Sequence, residues 1–142
     1  MIKILLLSAN QTDKTSIRFS EEVRAIEQRL RSSEQKQNFT LASASTYRAS
    51  DLQRALLQHR PNIVHFSGHG NPNQGITIEK SDGTNGAIPA QAFDDLFAVL
   101  KGDIRCVVLN GCFSKDQAQA ILNSVGCVGR LSQNHLLGSR AG

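Results

Sequence analysis

The sequence predicts an α/β protein, a mostly parallel sheet with helices on both faces and one small β-hairpin inserted. Three observations carry this reading. Short apolar stretches of strand length, around Ile2–Leu7, Ile63–Phe66 and Ile104–Leu109, are separated by segments with helical spacing. Turn and cap signals fall between them, as Pro61 does between a helical segment and the Ile63 strand. At 142 residues, with 39% hydrophobic and 20% charged content, the chain suits one globular domain.

The first strand is Ile2–Leu7, a continuous apolar run of the kind covered on both sheet faces. Ser8–Thr15 follows as a polar loop. Phe19, Val23, Ile26 and Leu30 then recur at helical steps, with Glu21 and Glu22 placed near the start of that helix and Arg29 and Arg31 near its end. Phe39–Ala44 alternates apolar and polar and reads as a half-buried edge strand. Ser50-Asp51-Leu52-Gln53 is a capping-box pattern opening a second helix, with Leu52, Ala55 and Leu56 inward.

The stretch Ile63–Gly70 reads as a buried strand running into a glycine-framed turn around His69. Gly75–Glu79 alternates again and Asp82-Gly83 marks a turn, which together predict the hairpin. Pro89 suits a first helical position, before an inward stripe of Phe93, Leu96, Phe97 and Leu100. Ile104–Gly111 is the next strand and ends at Cys112. Ser114-Lys115-Asp116-Gln117 is a second capping box, and Ala118, Ile121, Leu122 and Val125 face inward from its helix. Cys127-Val128-Gly129 begins a fifth strand, and residues 132–142 form a polar tail with no further helix or strand.

Charge and cysteine content narrow the class. The net charge of +4 comes from scattered basic residues that are not interleaved with aromatics, so solvated helix faces are a plainer reading than a nucleic-acid surface. The 3 cysteines, Cys106, Cys112 and Cys127, are odd in number and form no CxxC pair, which argues against a disulfide framework or zinc knuckle. Cys106 and Cys127 read as packing residues. His65 and His69 are four apart on an extended strand, too far apart to share a metal. No metal or cofactor is expected, and the chain lacks GxxxxGK[ST], GxGxxG after the first strand, and GxSxG. No apolar run approaches bilayer length, and the Ile4–Leu7 stretch is too short for a signal peptide, so a cytoplasmic protein with no membrane partner is expected.

The chemistry-bearing candidates are His69 and Cys112, each delivered at the end of an apolar strand. In open parallel sheets ligands collect at the carboxyl ends of strands. If the two strands are neighbours, a thiol nucleophile and its base come within reach of one substrate carbonyl. The N–H groups of Gly70 and Cys112 are candidates for an oxyanion hole. The helix capped by Ser114 begins just after Cys112, where its N-terminus favours a thiolate. Each residue taken alone has a plainer reading, Cys112 as a small packed hydrophobe and His69 as a hydrogen-bonded loop residue. His65 reads as a core or helix-facing residue.

With those residues the chain resembles a CHAT domain, a caspase-like cysteine peptidase domain widespread in bacteria. The matching stretches are Ile63-Val64-His65-Phe66-Ser67-Gly68-His69-Gly70 and Val107-Val108-Leu109-Asn110-Gly111-Cys112-Phe113-Ser114, with flanking similarity at Leu5–Asn10, Glu21–Val23, Leu52–Leu56 and Gln117-Ala118. The resemblance implies a caspase-like three-layer sandwich and a cysteine endopeptidase with a Cys–His dyad, in which Cys112 attacks and His69 handles the proton. It implies a protein or peptide substrate and a bacterial defence or programmed-death type of pathway. Resembling domains continue past the fourth helix, so residues 1–131 correspond to a domain lacking its usual C-terminal portion. That departure raises the alternative of an inactive caspase-like module that binds a partner or a second copy through the truncated side. A basic nucleic-acid-binding domain is a weaker third reading. Asp82, Asp94, Asp95, Asp103 and Asp116 are candidates to contact a basic substrate residue.

Overall fold

Five parallel strands and one antiparallel strand build the main sheet of the computed structural model, in the order β2-β1-β3-β7-β8-β9. The elements in chain order are β1 (Ile2–Ala9), α1 (Asp13–Arg31), β2 (Phe39–Thr46), α2 (Ala49–His59), β3 (Ile63–Gly68), β4 (Gly70–Asn71), β5 (Gly75–Glu79), β6 (Asn85–Ala87), α3 (Ala90–Leu100), β7 (Cys106–Gly111), α4 (Lys115–Leu122), β8 (Cys127–Leu131) and β9 (Leu136–Ala141). The structure describes residues 1–9, 13–46, 48–68, 70–71, 75–80, 82–111, 113–125, 127–131 and 136–141. The predicted α/β class, parallel sheet and inserted hairpin are all present.

The strand order explains the division of the helices. From β1 to β2 the chain moves toward one edge, and thereafter it moves toward the other. Right-handed crossovers then put α1 on one face and α2, α3 and α4 on the opposite face. Burial agrees. Leu5, Leu7, Val64, Phe66, Val107, Leu109 and Val128 cluster with Leu52 and Leu56 of α2, Phe93 and Phe97 of α3, and Ile121 of α4. On the α1 face, Leu6 and Phe19 are buried outside that cluster. Edge strand β2 is where the alternation of residues 39–44 placed it.

Several boundaries differ from the sequence reading. Helix α1 begins at Asp13, earlier than the polar composition suggested, so Glu22 sits in mid-helix rather than in a first turn. Helix α2 begins at Ala49, and its first-turn acid is Asp51, which accepts from the Arg48 N–H at 3.1 Å; Ser50 is already helical. Arg60 in the left-handed region (φ 43°) stops this helix before Pro61. Pro89 is the cap residue of α3 and not its first turn. Cys106 is half-buried, not enclosed in the core. Residues 136–141, expected as part of a structureless tail, form β9 antiparallel to β8. That strand is made by ladder pairing rather than by an alternating pattern of its own.

The inserted hairpin is fastened to the start of α4 by one side chain. Gln117 is 2% exposed, and all of its amide capacity is used. Its Oε1 accepts from the N–H groups of Ile76 (3.0 Å) and Ser114 (3.1 Å). Its Nε2 donates to the carbonyls of Ile76 (3.1 Å) and Ile88 (2.9 Å). The Ser114 side chain accepts from the Gln117 N–H at 3.1 Å, completing the capping box the sequence predicted. Gln117→Ala leaves these buried backbone groups without partners and should cost about 3 kcal/mol. Urea denaturation at pH 7 measures that loss, and Gln117→Glu should not repair it, because a carboxylate cannot donate to the two carbonyls.

Candidate functional site

Strands β3 and β7 are parallel neighbours and stay in register to their ends. His65 is opposite Val108, Ser67 opposite Asn110, and Gly68 opposite Gly111. The two ends approach closely. A β-carbon on Gly111 would overlap the Gly68 carbonyl oxygen, and Gly111 also has φ 130°, a conformation that favours glycine. A β-carbon on Gly68 would run into the Ile76 side chain from β5. His69 and Cys112 follow these two glycines in sequence, and both lie outside the described residues. Gly70, the other oxyanion-hole candidate, belongs to β4 and pairs opposite Ile76 of β5.

The residue after Cys112 is anchored in the core. Phe113 is buried and meets the Phe66 ring edge-on, at 5.2 Å between centroids and 78° between planes. Phe93 completes the cluster from α3, 6.0 Å from Phe66 and 6.5 Å from Phe113. Helix α4 starts two residues further on, at Lys115. The start of α4 is therefore held by an aromatic plug at Phe113 on one side and the Gln117 amide on the other.

Beneath the strand ends, on the α1 face, lies a polar group that the sequence analysis did not assemble. Glu22 reaches from α1 to three side chains of the sheet. His65 Nε2 bonds to Glu22 Oε1, the Ser67 hydroxyl donates to the same carboxylate at 3.2 Å, and Asn110 Nδ2 donates at 3.1 Å. An ionised carboxylate only accepts, so His65 carries its proton on Nε2. Burial works to raise the Glu22 pKa. The bond from His65 and that ring's charge when protonated, with the bonds from Asn110 and Ser67, outweigh burial and hold the carboxyl below its ordinary value. His65 is thus helix-facing, as its mid-strand place suggested. The sequence signal for this group was the polar alternation His65-x-Ser67 on β3, matched by Asn110 on β7.

The five candidate aspartates do not converge. Asp82 sits in the hairpin turn, bonded to Thr84; Asp103 pairs with Arg60 at 3.1 Å; Asp95 accepts from Gln91 at 2.8 Å. Asp94 and Asp116 line one shallow cleft between α3 and α4 with Gln119 and Asn123. Among the described residues no cluster of His, Cys, Asp and Glu could hold a metal ion, and no helix is long and apolar enough to cross a membrane.

No protein-family model matches the chain, and no curated protein is similar to it at a significant level.

The depressed Glu22 pKa has a defined pH consequence. A carboxyl whose folded pKa lies below its unfolded value adds stability that is present above the unfolded pKa, about 4.3. That stability is lost as the pH falls through the folded pKa. Glu22→Gln should lower the unfolding free energy at pH 7, and the gap to the parent protein should close as the pH drops toward 3. Urea midpoints measured across that range test the sign.

Proposed function

We propose that the chain is a caspase-like cysteine endopeptidase of the CHAT type, with Cys112 as nucleophile and His69 as its base. The observation that carries this reading is the in-register pairing of β3 and β7 up to Gly68 and Gly111, one residue short of each. Parallel sheets place their chemistry at this end. The adjoining N-terminus of α4 favours a negative charge at the preceding turn.

In this reading the Cys112 thiolate adds to the scissile carbonyl carbon of a peptide. The resulting oxyanion is met by the N–H groups of Gly70 and Cys112. His69 passes the thiol proton to the leaving amine as the C–N bond breaks, leaving a thioester. Water, deprotonated by His69, then hydrolyses the thioester, releasing the acid and restoring the thiol.

A second reading, an inactive module that binds a partner or a second copy, is favoured by the open α1-side face beyond that helix. There Cys106 and Val108 are only half-buried. A peptidyl acyloxymethyl ketone separates the two. For the enzyme, Cys112 is labelled at least tenfold faster than Cys106 or Cys127, and His69→Ala abolishes the preference. Equal, His69-independent labelling of all three, with concentration-dependent sedimentation, selects the binding module.

A further inference from the structure

We propose that Glu22 is the positioning residue of this site, a carboxylate clamp that sets the ends of β3 and β7 at one height so that nucleophile and base meet the same carbonyl. The inference rests on the peptidase reading and extends it to a residue outside both site motifs.

Three observations converge on it. The residues that Glu22 joins, Ser67 and Asn110, are register partners on the two strands. Each stands two residues before a site candidate, Ser67 before His69 and Asn110 before Cys112. The clamp also has the reach to act between strands, because it comes from a third element, α1. The same carboxylate takes a third bond from His65, one pleat further down β3. It is therefore fixed against the sheet before it meets Ser67 and Asn110.

The other end of the strand pair is pinned in a similar way. Asn62 accepts from the Lys3 N–H through Oδ1 at 2.9 Å and donates through Nδ2 to the Asp103 carbonyl at 3.1 Å. Its own carbonyl accepts from the Arg105 N–H at 2.7 Å. Strand β3 is thus tied to its neighbours at its entrance by a neutral amide and near its exit by a charged acceptor. Hydrogen bonds to a charged group are shorter and stronger than neutral ones. The exit is where a shift of an ångström separates a thiol from the carbonyl it must attack, a displacement worth up to about a hundredfold in rate.

The substrate itself is not touched by Glu22 in this account. Its effect is on the rate of the covalent step and not on ligand binding, and it works through the acceptor that Ser67 and Asn110 share. Glutamine keeps an acceptor for Ser67 and Asn110, whereas leucine keeps only bulk.

The test measures inactivation by the same peptidyl acyloxymethyl ketone, separating the maximal rate of Cys112 alkylation from the inhibitor concentration at half-maximal rate. The parent protein and His69→Ala are run first. Glu22→Leu should lower the maximal rate about tenfold or more with the half-saturating concentration unchanged, and Glu22→Gln should restore it to within about threefold. Phe19→Ala, which loosens the same helix through its buried apolar side, should lower the urea midpoint and leave the rate alone. Asn110→Ala severs only the β7 arm and should move the rate in the same direction, which keeps the test decisive if Glu22→Leu does not fold. The proposal is overturned by an unchanged rate in Glu22→Leu or Asn110→Ala, by an equal loss in Phe19→Ala, or by Glu22→Gln failing as badly as leucine. If the parent shows no His69-dependent labelling at Cys112, the peptidase reading itself falls and the clamp with it. Those two failures are distinguishable because the first leaves the His69 dependence intact.

Discussion

Contact between Gly111 and the Gly68 carbonyl is the constraint on which the rest of this structure depends. It closes the gap between two parallel strands at the point where each leaves the sheet, and neither position has room for a side chain. The register of β3 on β7 follows from it, together with the Asn62 bonds at the far end. With both ends fixed, the two segments that leave the sheet start side by side.

What leaves the sheet is then held by separate means. After β3 the chain enters the small antiparallel sheet, whose middle strand is gripped by the Gln117 amide. After β7 it turns through Phe113 into α4, whose first turn carries that same Gln117. One buried amide therefore links the segments following both candidate residues. A polar side chain this deeply enclosed is costly unless every donor and acceptor is met, and here all are. Complete satisfaction makes it a specific fastening and not merely a tolerated one.

The two sheet faces are unequal for a topological reason. Three of the helices follow strands that advance in one direction, so they share a face and its large core. Helix α1 alone crosses the other face, and the middle of that face beneath it is polar. Ser67, His65 and Asn110 would be expensive there without a partner, and Glu22 supplies one. A charged group that settles three half-buried polar side chains at once also joins three elements. That is how a residue remote in sequence from both strands comes to tie β3 to β7.

Much of the architecture was legible in the sequence because it rests on local signals. Apolar runs marked the parallel strands, helical spacing marked Phe93–Leu100, the Asp82-Gly83 turn marked the hairpin, and Ser114 with Gln117 marked the start of α4. The sequence by itself thus determined most element types, their order and the edge position of β2, and it marked two strand ends as candidates for chemistry. Periodicity and capping are properties of neighbouring residues, so they survive without knowledge of the fold. Tertiary structure alone decided that Glu22 is a bridging acid in mid-helix rather than a first-turn acid, that Gln117 holds the hairpin as well as its own cap, and that residues 136–141 pair as a strand. Each of these depends on partners dozens of residues away, and hydrogen bonding across such distances leaves no period in the chain to read.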